Sequence, residues 1–138
     1  MIKCWLVAAV AILWPGGAQA ESYNQKVRCL SEAVYREARG ESYLGKLAVA
    51  QTVINRSKNK SFPKGICKTV FQRGQFSWTK NWNKSWNADF EATQVARVAL
   101  MGTHSLKSFQ GLYFHSTSIN PGWKRKKLAT IGNHVFYS

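Results

Sequence analysis

The sequence predicts a single α+β domain, mostly helical, with one small β element. Three observations carry this reading. Apolar residues recur at helical spacing in three separate stretches. Strand-like patterns are confined to the C-terminal part of the chain. Hydrophobic residues make up 45% of the 138 residues and aromatics 13%, with six Trp, which is too apolar for a disordered basic tail and enough for one core. The chain shows neither an internal repeat nor an interdomain linker.

The elements follow in order. Met1-Ile2-Lys3 carries one positive charge and Cys4 to Trp14 is apolar. Pro15-Gly16-Gly17 breaks any helix, and Ala18-Gln19-Ala20 precedes Glu21 as a cleavage pattern. This is the layout of a secretory signal peptide, so the chain divides into 1–20, removed on export, and a folded domain 21–138. The apolar run is about half of the ~20 residues a spanning helix needs, and residues 21–138 carry no candidate span. An uncleaved anchor or a buried N-terminal helix are the alternatives.

Residues 24–39 read as a helix on Val27, Leu30, Val34 and Ala38, ended by Gly40. Ser42 is the expected N-cap of a second helix over 43–58. Leu44, Leu47, Ala48, Ala50, Val53 and Ile54 make that helix apolar on most faces, so it should be the central buried one. Phe62-Pro63-Lys64-Gly65 is a turn, 66–72 a short apolar segment, and 73–87 irregular and rich in Trp, Asn, Ser and Lys. A third helix is expected over 88–103, with Asp89 and Glu91 in its first turn and Phe90, Val95, Ala99 and Leu100 for packing. Leu112 to His115 should form a strand, paired with a second strand over 131–137.

Cysteine usage agrees with export. With Cys4 in the signal, Cys29 and Cys67 remain, an even number for an oxidising compartment. A bridge between them is worth roughly 4 kcal/mol in the chain-entropy model. Two buried free thiols are the alternative, and two cysteines so far apart make a poor zinc site.

Lys plus Arg number 20 against six Asp plus Glu, a formal net charge of +14. The expected partner is a polyanion: nucleic acid, an acidic membrane surface or an acidic cell-surface polymer. Six carboxylates leave few places for a mechanism that needs a carboxylate cluster.

Glu37 falls near the end of the first helix, where a carboxylate is electrostatically disfavoured. Placed against the buried second helix, its pKa would rise and it would suit a proton donor. The alternative is a solvated glutamate paired with Arg36 or Arg39. Gln75-Phe76-Ser77-Trp78, followed by Trp82 and Trp86, offers ring faces and amides that suit sugars or stacked bases; a structural aromatic cluster is the plainer reading. His104, His115 and His134 lack ligand spacing and read as structural. Lys124 to Lys127 is a solvated basic run. Neither a Gly-rich phosphate loop nor a G-x-S-x-G elbow occurs, and no metal or cofactor is called for.

Read together, these segments resemble the SleB/CwlJ-type cell-wall hydrolases, in the form found in Gram-negative bacteria and their phages. The resemblance is carried by Ala33-Val34-Tyr35-Arg36-Glu37-Ala38-Arg39-Gly40-Glu41-Ser42 and Gly45 to Arg56. Phe62-Pro63, Cys67, Val70-Phe71-Gln72 and Gln75 to Trp78 follow, then Tyr113 to Ser116, Pro121, Trp123 and Ile131 to Tyr137. It implies a lysozyme-like, lytic-transglycosylase-like domain acting on peptidoglycan glycan strands, as a monomer in the periplasm or cell wall, with nucleic acid not expected as a partner. It maps the catalytic acid to Glu37. Substrate contacts map to Glu41, Gln75, Phe76, Ser77 and Trp78, and to Tyr113 and His115. Many relatives carry another cysteine just after Q-F-S-W, whereas Thr79-Lys80-Asn81 stands here. Glycan cleavage normally takes two carboxylates, but a transglycosylase manages with one, which suits a chain so poor in acids. The competing class is a secreted basic module that binds wall polymer or nucleic acid without catalysis. Sequence does not separate hydrolysis from transglycosylation, or a bacterial enzyme from a phage endolysin.

Overall fold

The computed structural model describes residues 16, 17 and 19–138. The expected signal segment therefore lies almost wholly outside the described residues.

Helix α1 runs Tyr23–Ala38 and α2 Tyr43–Lys58. Ser22 caps α1 in a reciprocal capping box with Gln25. Ser42 caps α2 as expected, its hydroxyl accepting the Gly45 N–H at 3.2 Å. Helix α2 is the central helix: Leu47 to Ile54 are all buried, polar Gln51 and Thr52 included. It packs on α1, on the short α3 (Ile66–Val70) and on α4 (Phe90–Met101). The main core joins Leu30, Ala33 and Val34 of α1 to Leu47, Ala50 and Val53 of α2 and to Val95, Ala96 and Ala99 of α4. Each fully buried Leu or Val contributes about 1.5–3 kcal/mol by leaving water. Cys29 and Cys67 form a disulfide, Cα atoms 5.2 Å apart, that ties α1 to α3.

Helix α4 departs from expectation at its start. Asp89 is its N-cap, accepting the Ala92 N–H at 2.8 Å, so only Glu91 lies in the first turn. Phe90, expected to pack, is 79% exposed, because the buried stripe of α4 is Ala92, Val95, Ala96 and Ala99.

The β element is a three-stranded antiparallel sheet: β1 (Tyr113–Ser116), β2 (Lys127–Ile131) and β3 (His134–Tyr137), in the order β1-β3-β2. The β1–β3 pairing matches the expected one, Phe114 opposite Phe136. The single expected strand over 131–137 is instead a hairpin bent at Gly132-Asn133, and the end of the basic run enters β2. The bend has a local cause. Gly132 takes φ 57°, where glycine is unstrained, and its lack of a Cβ leaves room for the Glu41 carboxylate. Phe136 is fully buried against Ala38, Ala48 and Val49, which seats the sheet on the end of α1 and the start of α2.

Candidate active site

The segment after α3 folds around aromatic rings. Phe71 lies 4.5 Å from Trp82, 5.8 Å from Trp78 and 6.1 Å from Trp86 between ring centroids, and Arg28 stacks on Trp86 at 4.1 Å. Trp82 and Trp86 thus belong to a structural cluster. The segment then makes one 3-10 turn, Ser77–Asn81, which delivers Trp78 to the end of α1. There the Trp78 indole N–H donates to Glu37 Oε1 at 3.0 Å.

Glu37 opens onto a cleft of about 330 Å³ that it lines with Arg56, Gly74, Gln75, Phe76, Ser77 and Phe114. Burial raises the Glu37 pKa above the ordinary carboxyl value; the Trp78 hydrogen bond and the charge of Arg56 oppose that rise. Among the described residues Glu37 has no ion pair. Arg36 bonds Glu32 at 2.8 Å, and Arg39 reaches the Tyr35 hydroxyl. The salt-bridged alternative for Glu37 is therefore gone.

The other five carboxylates are each engaged. Fully buried Glu32 takes Arg36 and the backbone N–H groups of Asn87 and Ala88, at 2.8 and 2.9 Å. Glu21 accepts the N–H groups of Ile66 and Cys67 at the start of α3. Asp89 caps α4, and Glu91 pairs with Lys46 at 2.8 Å. Glu41 accepts the Asn133 N–H at 3.3 Å and so holds the β2–β3 turn. Glu37 is the one carboxylate that lines the cleft.

Of the residues expected to contact substrate, Gln75, Phe76 and Ser77 line this cleft, Phe76 as a buried floor, and Trp78 bonds its acid. Glu41, Tyr113 and His115 are not in its lining. His115 bonds the Tyr137 hydroxyl at 2.8 Å, and Tyr113 lies under Arg125. His134 is buried in the sheet and desolvation lowers its pKa; no cluster of metal-ligating side chains occurs among the described residues.

Arg56 is a cleft residue to which sequence reasoning gave no role, and Phe114 is the residue of the expected Tyr113–His115 wall strand that lines the cleft. Arg56 is 5% exposed, its Nε–H donates to the Leu112 carbonyl at 2.6 Å, and burial lowers its pKa to about 10. Its signal in the sequence was a cation on the apolar stripe of α2, four residues after Thr52 and three after Val53, where a solvated arginine has no place. A larger cavity of about 670 Å³, edged by Lys26, Lys58 and Lys107, contains none of the residues around Glu37.

The fold has solved counterparts. It matches the catalytic domain of the germination-specific lytic transglycosylase SleB from Bacillus anthracis with a TM-score of 0.75 and 26% identity, over 88% of this chain and 100% of that one. The catalytic domain of the Bacillus cereus SleB protein matches with a TM-score of 0.74 and 25% identity, over 95% and 100%. These neighbours place the domain in the lysozyme-like fold class. The family model described as Cell Wall Hydrolase matches residues 40–137. The chain belongs to that cell wall hydrolase family. The family match begins just past Glu37, but similarity to the spore cortex-lytic enzyme of Bacillus subtilis, 31% identity over 131 residues, covers 93% of this chain and 41% of that protein. The enzyme of the same name from Halalkalibacterium halodurans is 30% identical over 115 residues, 82% of this chain and 34% of that protein. The chain thus spans about two fifths or less of the length of these curated relatives.

Proposed function

We propose that this chain is a peptidoglycan-degrading enzyme that cleaves the glycan strand between N-acetylmuramic acid and N-acetylglucosamine, acting as a lytic transglycosylase with Glu37 as its single acid and base. The observation that carries this reading is that Glu37 alone among six carboxylates lines an open cleft, unpaired and desolvated, with a single indole N–H on it. Neutral Glu37 donates its proton to the glycosidic oxygen as the bond to C1 of the muramyl residue breaks. The cation formed is stabilised by the substrate's own N-acetyl group. The resulting Glu37 carboxylate then takes the proton of the muramyl 6-hydroxyl as its oxygen closes on C1. The carboxyl is regenerated and a 1,6-anhydro end results, with no water consumed. Hydrolysis with a second carboxylate would need one about 5–5.5 Å away as nucleophile or about 6.5–9.5 Å away as base, and the remaining carboxylates are engaged elsewhere.

A net charge of +14, or +13 once Lys3 leaves with segment 1–20, draws the protein to an anionic wall. Export through the segment 1–20 brings it there as a monomer, and the Cys29–Cys67 bridge agrees with an oxidising compartment. N-terminal sequencing of protein recovered from the periplasm is expected to begin at Glu21; a retained Met1 contradicts the signal assignment. Mass spectrometry of digested sacculi tests the reaction: anhydro ends are about 18 Da lighter than hydrolysed ends, one water by the bond chemistry of the two outcomes. Intact sacculi after incubation would favour the non-catalytic wall-binding module.

A further inference from the structure

Outside the cleft, the sheet carries a second aromatic surface that the reaction does not use. Tyr113 and His115 of β1 and Tyr137 of β3 stand beside one another, and the loop leading into β2 lays Trp123 across all three. Its ring centroid is 6.2 Å from Tyr113, 5.2 Å from His115 and 5.5 Å from Tyr137. The Arg125 guanidinium lies 3.5 Å from the centre of the Tyr113 ring. The His115–Tyr137 hydrogen bond at 2.8 Å locks the base of the group.

The loop is built to hold this arrangement. Its Gly122 N–H is taken by the Asn120 side chain at 3.2 Å, and Gly122 sits at φ 65°, where other residues are strained, immediately before Trp123. Yet Trp123 remains 40% exposed and Arg125 is exposed, without an acidic partner among the described residues. An exposed Trp beside a free guanidinium, pinned by a constrained turn, is poorly explained by packing alone.

Buried Arg56 connects this group with the cleft. Arg56 lies 5.4 Å from the Phe76 ring and 5.9 Å from Phe114 on the cleft side, and 5.9 Å from Tyr113 on the other. Tyr113 thus stands between Arg56 of the cleft and Trp123. Lys124, Arg125, Lys126 and Lys127, which follow Trp123 in the chain, are all exposed. The occupant must present apolar ring faces and carry negative charge. Peptidoglycan does both, through its sugar rings and the carboxylates of its peptide stems.

We propose that Trp123 and Arg125, set on Tyr113, His115 and Tyr137, form a secondary ledge that binds the glycan strand beyond the cleft, with Trp123 stacking on a sugar and Arg125 meeting stem carboxylates. The proposal rests on the activity above for the identity of the polymer, but its test does not need turnover.

Binding is measured on the full folded domain carrying Glu37→Gln, using soluble glycan strands released from sacculi, sized into short and long fractions, with stems retained or stripped. Adding Trp123→Ala is expected to weaken long strands about five- to tenfold and leave the shortest fraction, held by the cleft alone, unchanged. Adding Arg125→Gln is expected to weaken only strands that retain stems, and to lower the salt dependence of their binding. Melting temperature is followed for each variant, and Trp123→Phe, which retains a ring, is expected to recover part of the loss. Unchanged long-strand binding in Trp123→Ala overturns the proposal, as does an equal loss for short and long strands accompanied by a lower melting temperature. Equal losses with and without stems in Arg125→Gln overturn the charge component. If wild-type protein binds strands in this length-dependent way but releases no glycan ends, the reaction assigned to Glu37 fails while the ledge stands.

Discussion

Glu37→Gln isolates the proton from the shape. The amide keeps an oxygen that can accept the Trp78 indole N–H, now 3.0 Å away, and retains the volume of the carboxyl. What it loses is the ability to deliver and recover a proton. A positioned acid–base group contributes 10²- to 10⁴-fold, and the upper end is expected because in the proposed reaction one group serves both steps and no other carboxylate lines the cleft. The expected loss of lytic rate is about 10⁴-fold, or about 5 kcal/mol of barrier. Turbidity of purified sacculi measures the rate, and sedimentation with sacculi shows that binding persists. The stability of the variant carries an independent sign. The folded pKa of Glu37 is raised by burial, so the carboxyl favours the fold when protonated. That contribution is complete below the unfolded value of ~4.3 and is lost as pH rises through the folded value. Glu37→Gln should therefore be at least as stable as the parent near neutral pH, with its advantage shrinking on acidification. Near-normal lysis by the variant refutes the assignment of the acid. A variant clearly less stable at neutral pH refutes the argument from burial and points to a structural role.

Trp78→Phe keeps a ring beside Phe71 and Phe76 but removes the donor to Glu37; the pKa should rise further, moving the high-pH limb of the lysis profile upward, and an unmoved limb would show that the indole does not tune the acid. Trp78→Ala is a poorer probe, because the ring also packs on the main core and its loss should lower the melting temperature as well. Glu32→Ala strips the partners from Arg36 and from two backbone N–H groups, and should cost about 3 kcal/mol in denaturant unfolding; a loss under about 1 kcal/mol would mean that water replaces the carboxylate. Replacing both Cys29 and Cys67 by Ala should lower stability by about 3–4 kcal/mol while leaving lysis by the folded fraction near normal, and an unchanged denaturation midpoint would contradict the loop-closure argument.

Much of the fold was legible because helices are local. The second helix was expected over 43–58 and occupies Tyr43–Lys58, since its cap and its apolar run lie within a few residues of each other. The β1–β3 pairing was legible too, from two hydrophobic strand-like segments. The hairpin was not, because an apolar run crossing Gly132-Asn133 reads as one strand until Glu41, distant in sequence, is seen against the turn. Phe90 misled for a related reason: an apolar side chain next to a buried stripe need not belong to it.

At the site the division is sharper. Sequence alone determined the residue types: a glutamate at a helix end, a Q-F-S-W segment, a shortage of acids and an excess of cations. Only tertiary structure decided which carboxylate is available. Glu32 and Glu37 lie on one helix and look alike in sequence, yet Arg36 and the backbone N–H groups of residues 87 and 88 engage the first, while an indole from residue 78 and an open cleft meet the second. Tertiary structure likewise turned Arg56 into a wall of the cleft and raised Trp123 over the sheet. The physical reason is that desolvation and charge depend on neighbours in space, and those neighbours come from parts of the chain that local patterns do not connect.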